Sequence, residues 1–219
     1  MNNMFNPQIS TDMKLQFGEM NITSRVIERL TDLDFTVAEL ETAITEHKAN
    51  LDGEPAVYCG TYAKYNDGSL RGLWIDLSSF DDYDEFINFC YAIHADEDAD
   101  CCELMFQDYD SFPRKFYSES CFNEETFDNI KAYCELCDKY STEAVDAFMD
   151  EFDSLDDFED KYCGQYASEE EYAEEIVAEC YDIERQMGSL ANYFDYSAFA
   201  RDLFMFDYLF ADGYVFRRY

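Results

Sequence analysis

The chain has 219 residues, 47% apolar and 18% aromatic, with 50 Asp and Glu against 15 Lys and Arg and a formal net charge of −35. That apolar content excludes an acidic disordered tail, which lacks the side chains that bury surface, and the charge opposes direct nucleic-acid binding, because phosphates are held by Lys and Arg. Net charges of −5, −11, −11 and −8 over residues 1–53, 54–120, 121–167 and 168–219 put the acids over the whole folded body.

Residues 1–20 carry no clear pattern. Thr36 with Glu39 forms a capping box, Phe35 and Leu40 take the staple positions, and Gly53 follows, so a helix is expected over about 37–50, with a shorter one at 24–31. The run "AVYCGTYAKYNDGSLRGLWIDL" (56–77) changes the period to two, and Asn66-Asp67-Gly68 reads as a hairpin connection. "SFDDYDEFINFCYAIH" reads as a helix capped by Ser79, with Phe80, Tyr83, Phe86, Ile87 and Tyr91 on one face. "CCELMFQDY" (101–109) reads as a third strand that Pro113 closes. Short helices are expected from 123 to about 160, with Ser141 and Ser154 as caps, and "KYCGQYA" as a strand. Ser168 with Glu171 opens a long helix that Gly188 ends. A short helix near 190–200 precedes two strands around Asp212-Gly213.

Chemical sites find little support. "DEDADCCELMFQ" (96–107) spaces its acids like a calcium loop, but Cys101 stands where the turn needs Gly and Gln107 where a bidentate Glu is needed. Cys134-x-x-Cys137 lacks a second ligand pair for zinc, the only histidines being His47 and His94. Fifty acids supply many pairs but single none out for general acid–base work. There is no Gly-rich phosphate loop and no nucleophile motif. The residues therefore single out no metal ligand and no catalytic group. No 18-residue apolar run and no secretion signal is visible, so neither a membrane span nor export is expected. Nine cysteines without a regular framework then fit free thiols in a reducing cytoplasm.

The surface is what remains. "MDEFDSLDDFEDKY" (149–162) holds seven carboxylates against one Lys161. On a helix that is roughly one charge per 3 Å of axis, close to the one per ~3.4 Å of a DNA strand. The candidate partner-binding carboxylates are Asp81, Asp82, Asp84 and Glu85; then Asp150, Glu151, Asp153, Asp156, Asp157, Glu159 and Asp160; then Glu169, Glu170, Glu171, Glu174 and Glu175. The plainer alternative for such a surface is a general acidic interaction protein that inhibits some other basic DNA-binding protein.

Four segments, in order, resemble the ArdA-type antirestriction proteins: the Tyr-x-x-Tyr-Asn-x-Gly stretch with its Trp-bearing strand in 56–77, "LMFQDYDSFP", the acidic "FMDEFDSLDDFEDKY", and "LANYFDYSAFARDL". The resemblance covers about residues 56–219. It implies a non-enzymatic, cofactor-free cytoplasmic DNA mimic carried by mobile elements, one that fills the DNA-binding groove of type I restriction–modification enzymes. It also implies an α+β fold. The plan is an elongated curved rod of three small domains that dimerises through the last one: a three-stranded sheet with a helix, a short-helix bundle, and a three-stranded sheet with helices. On this chain the expected divisions are a partly helical extension over 1–55, then 56–112, 113–150 and 151–219. Tyr196, Arg201 and Asp202 are read as structural or interface residues.

Overall fold

A computed structural model describes residues 20–98 and 102–219. The fold is α+β, with two three-stranded antiparallel sheets. The chain divides into two compact units, one ending at Lys131 and the other beginning at Ala132.

The first unit opens with α1 (Ser24–Asp32) and α2 (Val37–His47). At α2 the capping box forms in full: Thr36 Oγ1 accepts from the Glu39 N–H at 3.2 Å and Glu39 Oε2 from the Thr36 N–H at 2.7 Å. Both helices are built into the unit. Val26 and Leu30 of α1 and Leu40, Ala43 and Ile44 of α2 are buried. Past α2, the Ala49 N–H donates to the carbonyl of Trp74 at 3.0 Å, tying the chain to the outer strand of the sheet that follows.

That sheet has the order β2-β1-β3, from β1 (Ala56–Thr61), β2 (Leu73–Asp76) and β3 (Leu104–Asp110). A bulge between Tyr58 and Cys59 shifts the β1–β3 register. The expected tight hairpin at Asn66-Asp67-Gly68 does not form. Thr61 caps a helical turn, α3 (Tyr62–Asn66), and Gly68 at φ +80° closes it. The Ser69 N–H donates to Lys64 O and the Gly68 N–H to Tyr65 O, a Schellman closure, so these residues end a helix rather than reverse a strand.

Residues Leu77–Ser79 form a 3-10 turn capped by Asp76, and α4 (Tyr83–Ala92) takes Asp82 as its N-cap, not Ser79. The Ser79 hydroxyl donates instead to Asp76 O. Phe86, Phe89 and Cys90 of α4 are buried; Phe86 packs on Phe106, Phe122 and Phe127 with ring centroids 5.3–6.0 Å apart. The strand expected from residue 101 begins at Leu104, Cys101 lying outside the described residues.

Helix α5 (Glu124–Lys139) contains the division between units. In the second unit follow α6 (Thr142–Glu151), capped by Ser141, and α7 (Phe158–Lys161). Ser154 caps no helix; its hydroxyl accepts from the Asp156 N–H within an irregular stretch. The second sheet has the order β4-β6-β5, from β4 (Tyr162–Gln165), β5 (Tyr208–Ala211) and β6 (Tyr214–Arg217). Asp212 (φ 49°) and Gly213 (φ 88°) both lie in the left-handed region, the geometry a two-residue hairpin needs. Helix α8 (Glu169–Cys180) stops well before Gly188, because Tyr181 turns extended and Asp182 accepts from the Arg185 N–H to start α9 (Ile183–Met187). Helix α10 (Tyr196–Phe206) runs past the expected end near 200. Tyr172, Phe204 and Val215 form the core between α8, α10 and this sheet.

Candidate functional site

All sixteen nominated carboxylate residues are exposed. They lie on three stretches of chain, and local folding explains each.

Asp81, Asp82, Asp84 and Glu85 gather at the start of α4. Asp82 Oδ1 accepts from the Glu85 N–H at 2.9 Å, and Glu85 Oε2 from the Asp81 N–H at 3.0 Å. Negative charge is favoured there by the positive end of the helix macrodipole.

The acidic segment 149–162 is not one helix, which corrects the charge spacing expected along it. Helix α6 ends at Glu151, the chain runs irregularly to 157, and α7 adds one turn. Aromatic anchors hold it down. Phe148 and Phe158 are fully buried with ring centroids 5.1 Å apart, Phe152 stacks on Phe148 at 4.4 Å, and Phe158 stacks on Tyr162 at 5.3 Å. Between these anchors Asp150, Glu151, Asp153, Asp156, Asp157, Glu159 and Asp160 project to solvent. Burying one such ring contributes about 1.5–3 kcal/mol, while a like-charge helical neighbour costs about 0.2–0.5 kcal/mol. The anchors win, and the charges stay together.

Glu169, Glu170, Glu171, Glu174 and Glu175 are all exposed on α8; Glu171, Glu174 and Glu175 lie opposite buried Tyr172, Ala173 and Val177, and Glu169 is exposed at the first turn. Glu171 accepts from the Ala167 N–H at 2.5 Å, one residue further back than a capping box requires. Glu175 accepts from the Tyr166 hydroxyl at 3.1 Å, and burial together with that carboxylate pushes the Tyr166 phenol up to about 12. With exposed Glu179 the helix carries six carboxylates over roughly 15 Å of axis.

Several basic residues are half-buried, among them Lys64, Arg71, Lys131 and Lys161, while others, such as Lys115, Arg185 and Arg201, are exposed. Lys64 reaches Asp96 (3.1 Å) and Glu97 (2.8 Å), and both terminal nitrogens of Arg71 bind Asp96. These four side chains are a quarter exposed or less. Burial would raise the Asp96 carboxyl, but Arg71 and Lys64 outweigh it and bring it below its ordinary value. His94, wholly buried, donates Nε2–H to Cys59 O and accepts at Nδ1 from Lys64; burial and the two cations lower it to about 3, so it is neutral. Lys131 donates to Phe80 O at 2.6 Å, Lys161 to Arg218 O, Arg114 to Tyr117 O and Arg218 to Tyr208 O. Among the described residues only Lys139, on Glu159, and Lys161, 4.0 Å from Asp157, pair with nominated positions. Lys64, Arg71 and Lys131 therefore satisfy carbonyls and partly buried acids rather than the nominated carboxylates.

Sequence reasoning missed Glu124, Glu125, Asp128, Glu135 and Asp138, all exposed on α5. Their spacing of three and four, out of phase with buried Phe127 and Ile130, was the available signal. Arg201 and Asp202 are exposed on α10, and Tyr196 is half-buried. Among the described residues no group of three or more His, Cys, Asp or Glu could hold a metal ion, and no helix is long and apolar enough to cross a membrane.

A family model described as Antirestriction protein (ArdA) matches residues 57–216. No curated protein matches the chain.

Proposed function

The chain belongs to the ArdA antirestriction family, and on that premise we propose that it inhibits type I restriction–modification enzymes by occupying their DNA-binding groove as a DNA mimic. The observation that carries the reading is the excess of exposed acid: all sixteen nominated carboxylates are exposed, and among the described residues only Glu159 and Asp157 of them pair with a lysine, Lys139 and Lys161. Asp81, Asp82, Asp84, Glu85, the seven acids of 150–160 and the five of α8 stand in for phosphates. Six carboxylates over the α8 axis give about one per 2.5 Å, between the ~1.7 Å of a duplex counted on both strands and the ~3.4 Å of one.

The lysines and arginines of a DNA-binding groove would then be steered to this surface, with fast association and a steep loss of affinity as salt rises. The inhibitor catalyses nothing and needs no cofactor in this reading; it acts in the cytoplasm. It works as a homodimer joined through the second unit, where Tyr193, Met205, Phe206 and Tyr219 expose large apolar surface. Phe206→Glu is expected to yield monomer in equilibrium sedimentation.

The deciding experiment is capture of a purified type I enzyme by the chain, with and without competing duplex DNA, alongside plating of unmodified phage on a restricting host that expresses it. Capture that DNA displaces, with plating restored, is the expected result. Capture insensitive to DNA would remove the groove from the account and leave an acidic protein with another basic partner.

A further inference from the structure

The extension ahead of the family match forms one wall of a cleft in the first unit. Helix α2 faces the start of α4 across a cavity of about 500 Å³. Its floor is apolar and aromatic: half-buried Phe35, buried Ala43 and Phe89, and the ring of His47 stacked on Phe80 at 4.0 Å. His47 lies with Nδ1 2.9 Å from Ser79 Oγ, and since that hydroxyl donates to Asp76 O, the imidazole donates to it. Burial lowers the His47 pKa against the pull of Glu85, Glu46 and Asp76, so the ring is largely neutral near pH 7.

The rim is anionic. Asp34, Glu39, Glu46 and Glu85 line the cleft, all exposed, and its described lining contains no Lys or Arg. Glu39 and Glu85 each give Oε2 to a backbone N–H, of Thr36 and Asp81, which fixes the two carboxylates on opposite walls. Flat rings below and fixed carboxylates above suit a guanidinium, which stacks on aromatic faces and binds carboxylates through its fork. An ammonium is more strongly hydrated and gains less from an apolar floor.

We propose that this cleft receives an arginine side chain of the basic protein partner, stacked over His47 and Phe35 and bound by Glu39, Glu46 and Glu85. It rests on the reading of the chain as an occupant of a DNA-binding groove, and it gives the extension a specific share of that contact, beside the charge of α4.

The test uses the full chain with isotope-labelled histidine. Two histidines are present, and wholly buried His94 serves as the internal reference. A short oligoarginine peptide should move the His47 ring signals saturably and leave His94 still, and an oligolysine peptide of equal length should bind the site several-fold more weakly. Glu39→Gln with Glu46→Gln should weaken the response about tenfold, and Thr42→Trp should block it without altering charge. The control pair Glu28→Gln with Asp32→Asn, on exposed positions of α1, should change it little. His47 signals unmoved by oligoarginine, or a control pair as damaging as the cleft pair, would overturn the proposal. Failure of the unaltered chain to bind a type I enzyme is a separate readout and sinks the groove reading instead.

Discussion

Phe158 shows how single side chains carry the acidic surface. Its ring is fully buried against Tyr140, Phe148, Tyr162 and Phe216. Phe158→Ala should cost about 3–5 kcal/mol by urea denaturation, through lost burial and the cavity left behind. Asp153→Asn, five residues away, should change stability and inhibition by no more than about 0.5 kcal/mol, since exposed charges act weakly one at a time. A large loss of inhibition from that one change would contradict a collective surface. His94 gives a pH dependence with a definite sign. Its folded pKa, about 3, lies below the usual 6.5, so its contribution is complete above pH 6.5 and is lost as pH falls toward 3. The slope is up to about 1.4 kcal/mol per pH unit, and His94→Gln should flatten it in denaturation curves between those limits. The outward acids were legible in the sequence, because Phe148, Phe152, Leu155 and Phe158 mark the inward phase between them. The pairing of Lys64 and Arg71 with Asp96 was not, because it joins residues 25 and 32 positions apart through the tertiary fold.

At the level of elements, caps were read well where they depend on neighbours alone. Thr36, Ser141 and Ser168 each hold the helix starts expected of them. Errors arose where one residue pattern serves two geometries. Asn66-Asp67-Gly68 can close a hairpin or a helix, and the choice fell to Thr61, whose hydroxyl caps α3. Asp82 prevailed over Ser79 because that serine is held by Asp76 and His47. On the proposed reading, helix α8 sets folding against recognition. Glu170 and Glu174 are exposed one turn apart and repel. Glu174→Lys replaces that repulsion with an attraction and should stabilise the fold by about 0.5–1 kcal/mol while weakening capture of the restriction enzyme. Thermal melting and the capture assay together check it; a stabilised variant that inhibits equally well would take α8 out of the contact.

For the whole molecule, a net charge of −35 sets the response to salt. Raising ionic strength from about 0.01 M to about 1 M shortens the screening length from ~30 Å to ~3 Å. Melting temperature should rise over that range as repulsion between exposed acids is screened, while affinity for a basic partner falls. A melting point indifferent to salt would show that the carboxylates are too far apart to repel. The two sheets were legible from alternation, the second also from its Asp212-Gly213 turn, and the acidic coat was legible from composition. The packing of α1 and α2 into the first unit was not legible, because Val26, Leu30, Leu40 and Ile44 find their partners only through long-range packing.

The interleaving of anchors and acids between Phe148 and Tyr162 separates two kinds of inheritance. Mutation can shuffle aspartate and glutamate among the outward positions without disturbing the rings beneath. On the proposed DNA-mimic reading, lineages can diverge widely in surface sequence while keeping the same pattern of charge, and a host enzyme would find no single residue to evolve against.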